Sequence, residues 1–578
     1  MKNPEVAAVL ERIADLLEID GADRFRVNSY RKAARNVDDC AEDVAVLAAE
    51  GRLGEIDGVG KGTADRIKSY LDTGTIDVLA ELEAKMPPGL PALLGIPGMG
   101  PKKVSLAWKE LGVGSIDDLK AVIADGRLAG LQGMGKASVA KIAEGITFLE
   151  SSGGRTPLGV AMPIAEAFAE LVRGIPGVSH VELAGSLRRG QETIGDIDIL
   201  CTAADAEAAV KAFTAAPQAK RVLASGATKG SITVDVGGGK ELQIDLRAVP
   251  PQSFGAAWQY FTGSKDHNVR IREMAVKRKW RLNEYGLFDG EKQIAGDTEE
   301  SIYQQLGLRC PPPEMRQDRH EFDFEGGFDE LVSLTDIVCD LHMHTTASDG
   351  RNTIEEMAEA ARARGYTHIA ICDHSVSATI ANGLSIERME AHIDAIRAAN
   401  GRVKDIEILV GTECDILPDG RLDYPDKILK QCDWVVASIH SAMGKATGKG
   451  KKTPTERTLG AIANRWVCCI GHPTGRLINQ RDAMDLDMAA VIAAAAENGT
   501  MLEINAHYAR LDLKDTHAHQ AIAAGVMLSI NTDAHSIDGF NQLRYGILTA
   551  RRAGARKRDV ANCLPIGALR QRVAHKRG

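Results

Sequence analysis

Two sets of side chains in this sequence have the types and spacing of divalent-metal ligands. The first is Asp196-x-Asp198, within VELAGSLRRGQETIGDIDILC, joined by Asp245 within ELQIDLRAV. Both stretches read as strands, and period-two alternation puts Asp196 and Asp198 on one face and Asp245 opposite Leu242, Ile244 and Leu246. Converging carboxylates can hold two divalent ions that keep an attacking oxygen and a phosphate in line and offset the developing charge, which is phosphoryl transfer. Mg²⁺ or Mn²⁺ suits a site of few carboxylates completed by substrate phosphates. An isolated Asp-x-Asp is more often a solvated pair on an edge strand, so the surrounding residues must decide.

The second set is His342-x-His344, Asp349, Asp373-His374, Glu413, His440, His472 and Asp533-x-His535. In a strand, H-x-H directs both imidazoles to one side, as a shared metal requires, and the carboxylates can bridge ions. A lone buried histidine is usually a satisfied core residue. Histidines recurring at the ends of apolar runs, each with acids nearby, point to a metal centre.

The elements that must position these groups follow from the apolar pattern. From Asp336 onward, short runs (IVCDLHMH, HIAICDHS, IEILVGTECDI, WVVASIHS, VCCIGHP, GTMLEINAH, VMLSINTDAH) alternate with helical segments, which predicts parallel strands with crossover helices and, by repetition, a barrel. The ligand candidates then lie at strand ends, where functional groups of such barrels sit. Upstream, CPPPEMRQDRHEFDFEGGFDE, starting at Cys310, reads as an exposed interdomain linker. In the first quarter a pattern repeats as IDGVGKGTADRI, IPGMGPKKVSLA and LQGMGKASVAKI. Its glycines (Gly58 and Gly60, Gly98 and Gly100, Gly133 and Gly135) permit tight turns whose backbone N–H groups can bind a phosphate oxygen, with Lys61, Lys102 and Lys136 following.

The 578 residues leave room for several domains, and 44% hydrophobic with 26% charged residues is an ordinary globular composition. The chain begins with an amphipathic helical pattern and shows no apolar run that would span a bilayer, which places it in the cytoplasm without a membrane partner. Ten scattered cysteines without a C-x-x-C pair argue for reduced thiols. The net charge of −9 excludes a uniformly basic nucleic-acid binder, but basic stretches exist: Lys277, Arg278, Lys279 and Arg281, read as one helix; Lys449, Lys451 and Lys452 in a loop, solvated or touching a DNA backbone; and Arg551 to Arg558.

Gly185-Ser186 followed by Arg188, Arg189 and Asp-x-Asp resembles the nucleotidyltransferase superfamily, and the Gly-x-Gly repeats resemble helix-hairpin-helix motifs. YFTGSKDHNVRIREMAVKRKWRLNEYGLF, from Tyr260, closely resembles the thumb of X-family DNA polymerases, those like DNA polymerase beta, extending the likeness over roughly the first 316 residues. That resemblance implies Asp196 and Asp198 as ligands of both metals and Asp245 as the group activating the primer hydroxyl. It implies Gly185, Ser186, Arg189 and Gly195 around the triphosphate, Tyr260, Phe261 and Gly263 against the incoming sugar, and Asn268 and Arg272 at the minor-groove edge. Two positions depart from it. Gln243 stands where close relatives carry arginine, and Arg66 fills the slot of a Schiff-base lysine, so lyase activity is expected to be weak or to fall to Lys61 or Lys68. The C-terminal region, from about Asp340, resembles the polymerase and histidinol phosphatase (PHP) domain with its trinuclear centre. By that resemblance His342, His344, Glu413 and Asp533 hold one ion, Glu413, His440 and His472 a second, and Asp349, His374 and His535 a third; mixed ligation of this kind suits Mn²⁺ or Zn²⁺.

The expected architecture is a multidomain α/β chain. It comprises an N-terminal helical DNA-binding domain (1–84), fingers with helix-hairpin-helix motifs (85–154), a nucleotidyltransferase palm with a mixed sheet (155–250), an α+β thumb (251–316), a linker (317–335) and a distorted (β/α)7 PHP barrel (336–578). The implied function is a DNA polymerase filling short gaps in DNA repair, with a Mn²⁺-dependent 3′→5′ exonuclease, and with 3′-phosphate removal or abasic-site cleavage as further activities. Gapped or nicked duplex DNA, deoxynucleoside triphosphates and other repair proteins are the expected partners of a monomer. The competing readings are a phosphoesterase or nuclease whose polymerase-like half is inactive and only docks DNA, and a small-molecule phosphatase; intact Asp196, Asp198 and Asp245, and the presence of a thumb, speak against them.

Overall fold

A computed structural model describes residues 3–38, 40, 42–87, 89–96, 98–152, 155–237, 240–444 and 451–577. Lys449, and with it most of the lysine-rich loop, lies outside the described residues. The chain divides into two compact units, Met1–Gly154 with Asp235–Glu241, and Arg155–Val234 with Leu242–Gly578.

In the first unit every element described between residues 3 and 152 is a helix. The three Gly-x-Gly turns share one construction. The first glycine takes the left-handed region, with φ of +81° at Gly58, +88° at Gly98 and +77° at Gly133, where a side chain would be strained. The apolar residue that follows, Val59, Met99 or Met134, is buried in the helical core. The second glycine starts a helix (Lys61–Thr73, Pro101–Leu111, Lys136–Ser152), and at Gly60, Gly100 and Gly135 the space a side chain would fill is open. Lys61, Lys102 and Lys136 are exposed beside these openings.

Three sheets matter for function, and apart from residues 235–241 they lie in the second unit. The palm strands are β1 (Val178–Leu183), β2 (Asp196–Ala203), β3 (Arg221–Ser225), β4 (Lys229–Gly237) and β5 (Lys240–Ala248), in the order β1-β2-β5-β4-β3. β2 and β5 run parallel and β1 antiparallel to β2, so the sheet is mixed. The thumb follows with helices Phe254–Thr262 and Lys265–Lys277, a meander of β6 (Trp280–Asn283), β7 (Gly286–Asp289) and β8 (Lys292–Ala295), and helix Glu299–Gln305, around Ile271, Leu287, Ile302 and Tyr303. The basic run expected on one helix is divided: the helix ends at Lys277, Lys279 takes φ of +63°, and Arg281 lies on β6.

The barrel is built from β9 (Cys339–Met343), β10 (His368–Ile371), β11 (Glu407–Asp415), β12 (Trp434–Ser438), β13 (Cys469–Ile470), β14 (Met501–Asn505) and β15 (Leu528–Asn531), all parallel and in sequential order. A bridge between Met343 and Ala534 brings the last strand against the first and nearly closes the ring. The strands are buried on both faces, which is why they read as continuous apolar runs.

The stretch after Cys310 is an exposed linker only in its acidic second half; up to Glu321 it is packed into the fold. Arg316 is fully buried, Glu321 pairs with His267 Nδ1 at 2.7 Å, and His320 stacks on His519 of the barrel at 4.3 Å. Glu314 and Arg319 pair with Arg551 and Asp515, far away in sequence, while Asp323, Glu325 and Asp329 are exposed. Among the described residues no helix is long and apolar enough to cross a membrane, and none of the ten cysteines is in a disulfide.

Candidate active sites

In the palm, β2 and β5 are registered so that Asp198 faces Asp245 and Asp196 faces Gln243. Removal from water, followed by repulsion from Asp196 and Asp245, pushes the Asp198 carboxyl up to about 8, and Asp196 moves the same way. Like charges held together at such cost fit divalent cations, and their oxygen donors fit Mg²⁺ or Mn²⁺. Gly185, at φ +67°, explains itself: a Cβ there would sit 2.2 Å from Asp198 Oδ2. Asp245 is held by Gln243 Nε2, which donates to Oδ1 at 2.8 Å, and by Lys229 Nζ, which pairs with Oδ2 at 2.7 Å. The cation beside the third aspartate therefore comes from the neighbouring strand β4.

A cavity of ≈ 420 Å³ opens beside these carboxylates, and its lining includes Gly185, Ser186, Arg189, Asp196, Asp198, Tyr260, Phe261, Gly263, Asn268 and Arg272. It also includes Arg155 and Lys265, which the sequence reading missed. Gly195 lies under Arg155, whose Nη1 would be 3.0 Å from a Cβ. Of the adjacent arginines, Arg188 turns inward to a bidentate pair with Glu299 (2.8 and 2.7 Å), while Arg189 faces the cavity and donates to the Thr262 carbonyl. Burial, with Arg552 and Arg155 nearby, lowers Arg189 to about 10, still a cation at neutral pH. Asn268 donates from Nδ2 to the Tyr260 carbonyl at 2.7 Å and accepts from Gln259 at 2.6 Å.

The second cluster sits at the C-terminal ends of the barrel strands. Glu413 lies at its centre: Oε2 is 2.9 Å from His374 Nδ1, 3.5 Å from His342 Nε2 and 3.7 Å from His344 Nε2, and Oε1 is 3.0 Å from His472 Nε2 and 3.3 Å from His440 Nε2. Asp533 Oδ1 is 3.0 Å from His344 Nε2, and Asp349 Oδ1 is 3.4 Å from His535 Nε2. Despite these distances, both Glu413 oxygens, His342 Nε2 and His374 Nδ1 make no hydrogen bond and are buried. Lone pairs that converge without hydrogen-bond geometry fit an ion-holding centre.

Three groups have donor atoms within 4.8 Å of one another: His342, His344 and Asp533; His374, Glu413 and His440; and His344, Asp349, His374 and His535. These groups overlap the expected sets without matching them: Glu413 stands with His374 and His440 and not with His342, His344 and Asp533, and His344 and His374 each belong to two groups. His472 belongs to none of the three groups but meets Glu413 Oε1 and packs its ring 5.1 Å from that of His440. Burial disfavours a charged His342, but Glu503, Glu413 and Asp533 outweigh it and hold its pKa well above the usual imidazole range. Burial with His374 and His535 lowers His344 to about 4. His472 and Asp533 have φ of +26° and +54°, backbone strain that collects at functional sites.

Positioning groups surround the cluster, and of these the sequence pointed only to Asp373. Glu503 on β14 meets His342 Nδ1 at 2.8 Å, and Asp415 at the end of β11 meets His440 Nδ1 at 2.5 Å. Asp373 turns away from the centre, accepting from Thr345 N at 2.8 Å and pairing with His392 Nε2 at 2.8 Å. The cluster borders a cavity of ≈ 490 Å³ whose far side is the 377–381 loop, and Arg510 reaches into it with a buried Nη1 that has no hydrogen-bond partner.

A nucleotidyltransferase palm and thumb joined to a parallel barrel with an imidazole–carboxylate centre define an X-family polymerase carrying a PHP domain. The DNA polymerase beta thumb family matches residues 257–317, the PHP domain 340–507, a helix-hairpin-helix domain 1–76, and a SAM-like helix-hairpin-helix tandem 90–146. The chain is 38% identical over 568 residues to the DNA polymerase/3′-5′ exonuclease PolX of Bacillus subtilis, covering 97% of each chain. It is 27% identical over 249 residues to a protein of Thermoanaerobacter named a probable phosphatase, covering 42% of this chain and 96% of that one. A probable phosphatase of Shewanella oneidensis is 30% identical over 214 residues, or 35% of this chain and 79% of its own. The chain belongs to the PolX family of X-family DNA polymerases.

Proposed function

We propose that this chain fills short gaps in duplex DNA with deoxynucleotides and removes 3′-terminal nucleotides at its PHP centre. The observation that carries the reading is the presence, in one compact unit, of a cavity of ≈ 420 Å³ lined by Asp196 and Asp198, with Asp245 registered opposite Asp198, and a second cavity at the Glu413 cluster. In the palm, Asp196 and Asp198 would hold Mg²⁺ or Mn²⁺, and Asp245 would take the proton of the primer 3′-hydroxyl. Ser186, Arg189 and Gly195 bind the triphosphate; Tyr260, Phe261 and Gly263 face the sugar, where a 2′-hydroxyl would be refused; and Asn268 and Arg272 serve the base-pair edge. In the barrel, His342, His344, Asp349, His374, Glu413, His440, His472, Asp533 and His535 would hold three Mn²⁺ or Zn²⁺ ions, and Arg510 would bind the scissile phosphate by its guanidinium. Bound ions supply charge compensation at the phosphate and an activated water.

The domain limits 1–84, 85–154, 155–250, 251–316, 317–335 and 336–578 belong to this reading, as do DNA-backbone contacts at the three Gly-x-Gly turns with Lys61, Lys102 and Lys136. So do a cytoplasmic monomer, other repair proteins as partners, and weak lyase activity with Arg66 in the lysine slot. Removal of a 3′-phosphate is a second hydrolytic activity, favoured by the relatives named as phosphatases.

The test is a 5′-labelled primer on a gapped duplex with Mg²⁺ or Mn²⁺, with and without deoxynucleotides, resolved on a sequencing gel. The primer lengthens with nucleotides and shortens without them, and His342→Ala with His344→Ala abolishes only the shortening. A primer that never lengthens leaves the front half as a docking module; one that never changes favours the small-molecule phosphatase.

A further inference from the structure

The segment from Gly190 to Gly195 joins the two walls of the palm cavity, with Ser186 and Arg189 before it and Asp196 and Asp198 after it. Within the palm, Thr193 and Ile194 pair with Pro157 and Thr156, the Glu192 carbonyl accepts from Leu158 N at 3.0 Å, and Gln191 N donates to the Ser186 carbonyl at 3.0 Å, with no helix between Gly190 and Gly195. Gln191 Nε2 donates to Gln317 Oε1 at 3.0 Å, and the barrel adds a further set of contacts. Arg476 donates to the Glu192 carboxylate from both Nη1 (3.0 Å) and Nη2 (2.5 Å), and its Nε is fixed on the Arg510 carbonyl at 2.9 Å. Asn479 Nδ2 donates to the Arg155 carbonyl at 2.6 Å, and Arg155 in turn donates from Nε to Thr193 Oγ1 at 2.9 Å and from Nη2 to the Thr193 carbonyl at 2.6 Å. Arg552 Nη1 donates to the Arg189 carbonyl at 3.3 Å. Gly190, at φ +60°, lies so close to Leu548 that a Cβ would meet its side chain at 2.9 Å. The stretch the barrel reaches thus runs from Arg189 to Thr193, through Arg552, Leu548 and Arg476 directly and through Asn479 by way of Arg155.

Phosphate-binding groups act only when their geometry is set in advance, and errors below an ångström are felt. A guanidinium and a carboxylate that are mostly removed from water, 14% and 26% exposed here, also gain little as mere adhesive. We propose that Arg476 and Asn479 of the PHP barrel are positioning residues for the polymerase reaction: they brace the Gly190–Gly195 segment so that Arg189 and Gly195 are placed for the triphosphate. The inference rests on the polymerase reading above. The barrel is then part of the nucleotide-binding structure of the palm as well as the holder of its own centre.

The experiment uses the full-length chain and incorporation of one nucleotide into a one-nucleotide gap, measuring KM for the deoxynucleotide and kcat separately. Glu192→Gln removes the pair from the palm side and leaves Arg476 on its barrel carbonyls; Asn479→Ala removes the other brace. Glu166→Gln is the control, since Glu166 joins Arg544 of the barrel at 2.8 Å but does not touch the segment. Lost positioning raises KM about five- to tenfold in Glu192→Gln and further in the double variant, with kcat within about twofold. Hydrolysis of bis(p-nitrophenyl) phosphate by the barrel and the KM of Glu166→Gln stay at the wild-type value, and Glu192→Asp recovers part of the loss. An unchanged KM in the double variant overturns the inference, as does an equal rise in Glu166→Gln, which would mean adhesion alone. Should Glu192→Gln fail to fold, the exposed Asn479→Ala carries the same comparison. A wild-type chain that extends no primer sinks the polymerase reading itself, a separate result.

Discussion

At the scale of single residues, chemistry dictated what could be read. A carboxylate triad and an H-x-H pair are legible because metals demand those types at short spacings, and Asp196, Asp198, His342 and His344 stand where the pattern puts them. Asp415, Glu503 and Arg510 were not legible, because a single acid in a buried strand or an arginine in a loop acquires meaning only from a partner far off in sequence; Glu503 and His342 are 161 positions apart. Asp373 shows the converse: adjacent to His374, it looks like a ligand and instead holds Thr345, Ser348 and His392. Outer partners that fix an imidazole typically matter by about 10–100-fold in metal affinity or activity. Asp415→Asn is therefore expected to lower Mn²⁺-dependent nucleolysis by about 10–100-fold, with primer extension unchanged; equal loss of both activities on the labelled-primer gel would contradict it. In the palm, Lys229→Met is expected to slow extension about tenfold, or ~1.4 kcal/mol in the barrier, and Lys229→Arg to restore most of it in the same single-turnover assay.

At the scale of elements, the alternation of apolar runs and helical segments was enough to give the seven parallel strands, because strands covered on both faces leave an unmistakable pattern. The first half of the stretch from Cys310 misled, since composition reports charge and not what the charge meets. The buried joint there shows what was hidden: Glu299 accepts from Arg188 on the palm and from Arg316 (2.5 and 3.1 Å), with Glu299 and Arg316 only 2% and 1% exposed. Burial alone would raise the Glu299 carboxyl, but Arg316 and Arg188 overcome it and hold it down to about 2. A carboxyl whose folded pKa is depressed contributes stability above its unfolded pKa and loses it as pH falls. That contribution is present at neutral pH and fades below roughly pH 4.5 toward pH 2. Glu299→Gln, which strands two guanidinium groups, should cost about 3–5 kcal/mol in chemical denaturation at pH 7. The difference from wild type should narrow in acid, and a gap independent of pH would show that the charge is not what matters.

At the scale of the molecule, palm, thumb and barrel are tied by ion pairs that span long stretches of chain: Arg551 with Glu314 at 3.0 Å, Arg544 with Glu166 at 2.8 Å, and Asp515 with both Arg552 (2.6 Å) and Arg319 (3.0 Å). Asp515 is buried among these arginines, which hold its carboxyl far below the usual range despite burial. Charges satisfied across domains should make the second unit melt as one, so that a ligand of the barrel stabilises the palm as well. A ligand bound only by the folded state adds RT ln(1 + [L]/Kd), about 2.7 kcal/mol at a hundredfold excess over Kd. Mn²⁺ is therefore expected to raise Tm with its concentration and to protect primer extension, assayed after a heat step and return to standard Mg²⁺ conditions, in parallel with nucleolysis. Asp415→Asn, which leaves the ligands in place but loosens His440, should shift that protection to higher Mn²⁺. Chelation before heating should remove it. If extension is lost at the same temperature with and without Mn²⁺ while nucleolysis is protected, palm and barrel unfold independently, and the ionic contacts between them hold position without sharing stability.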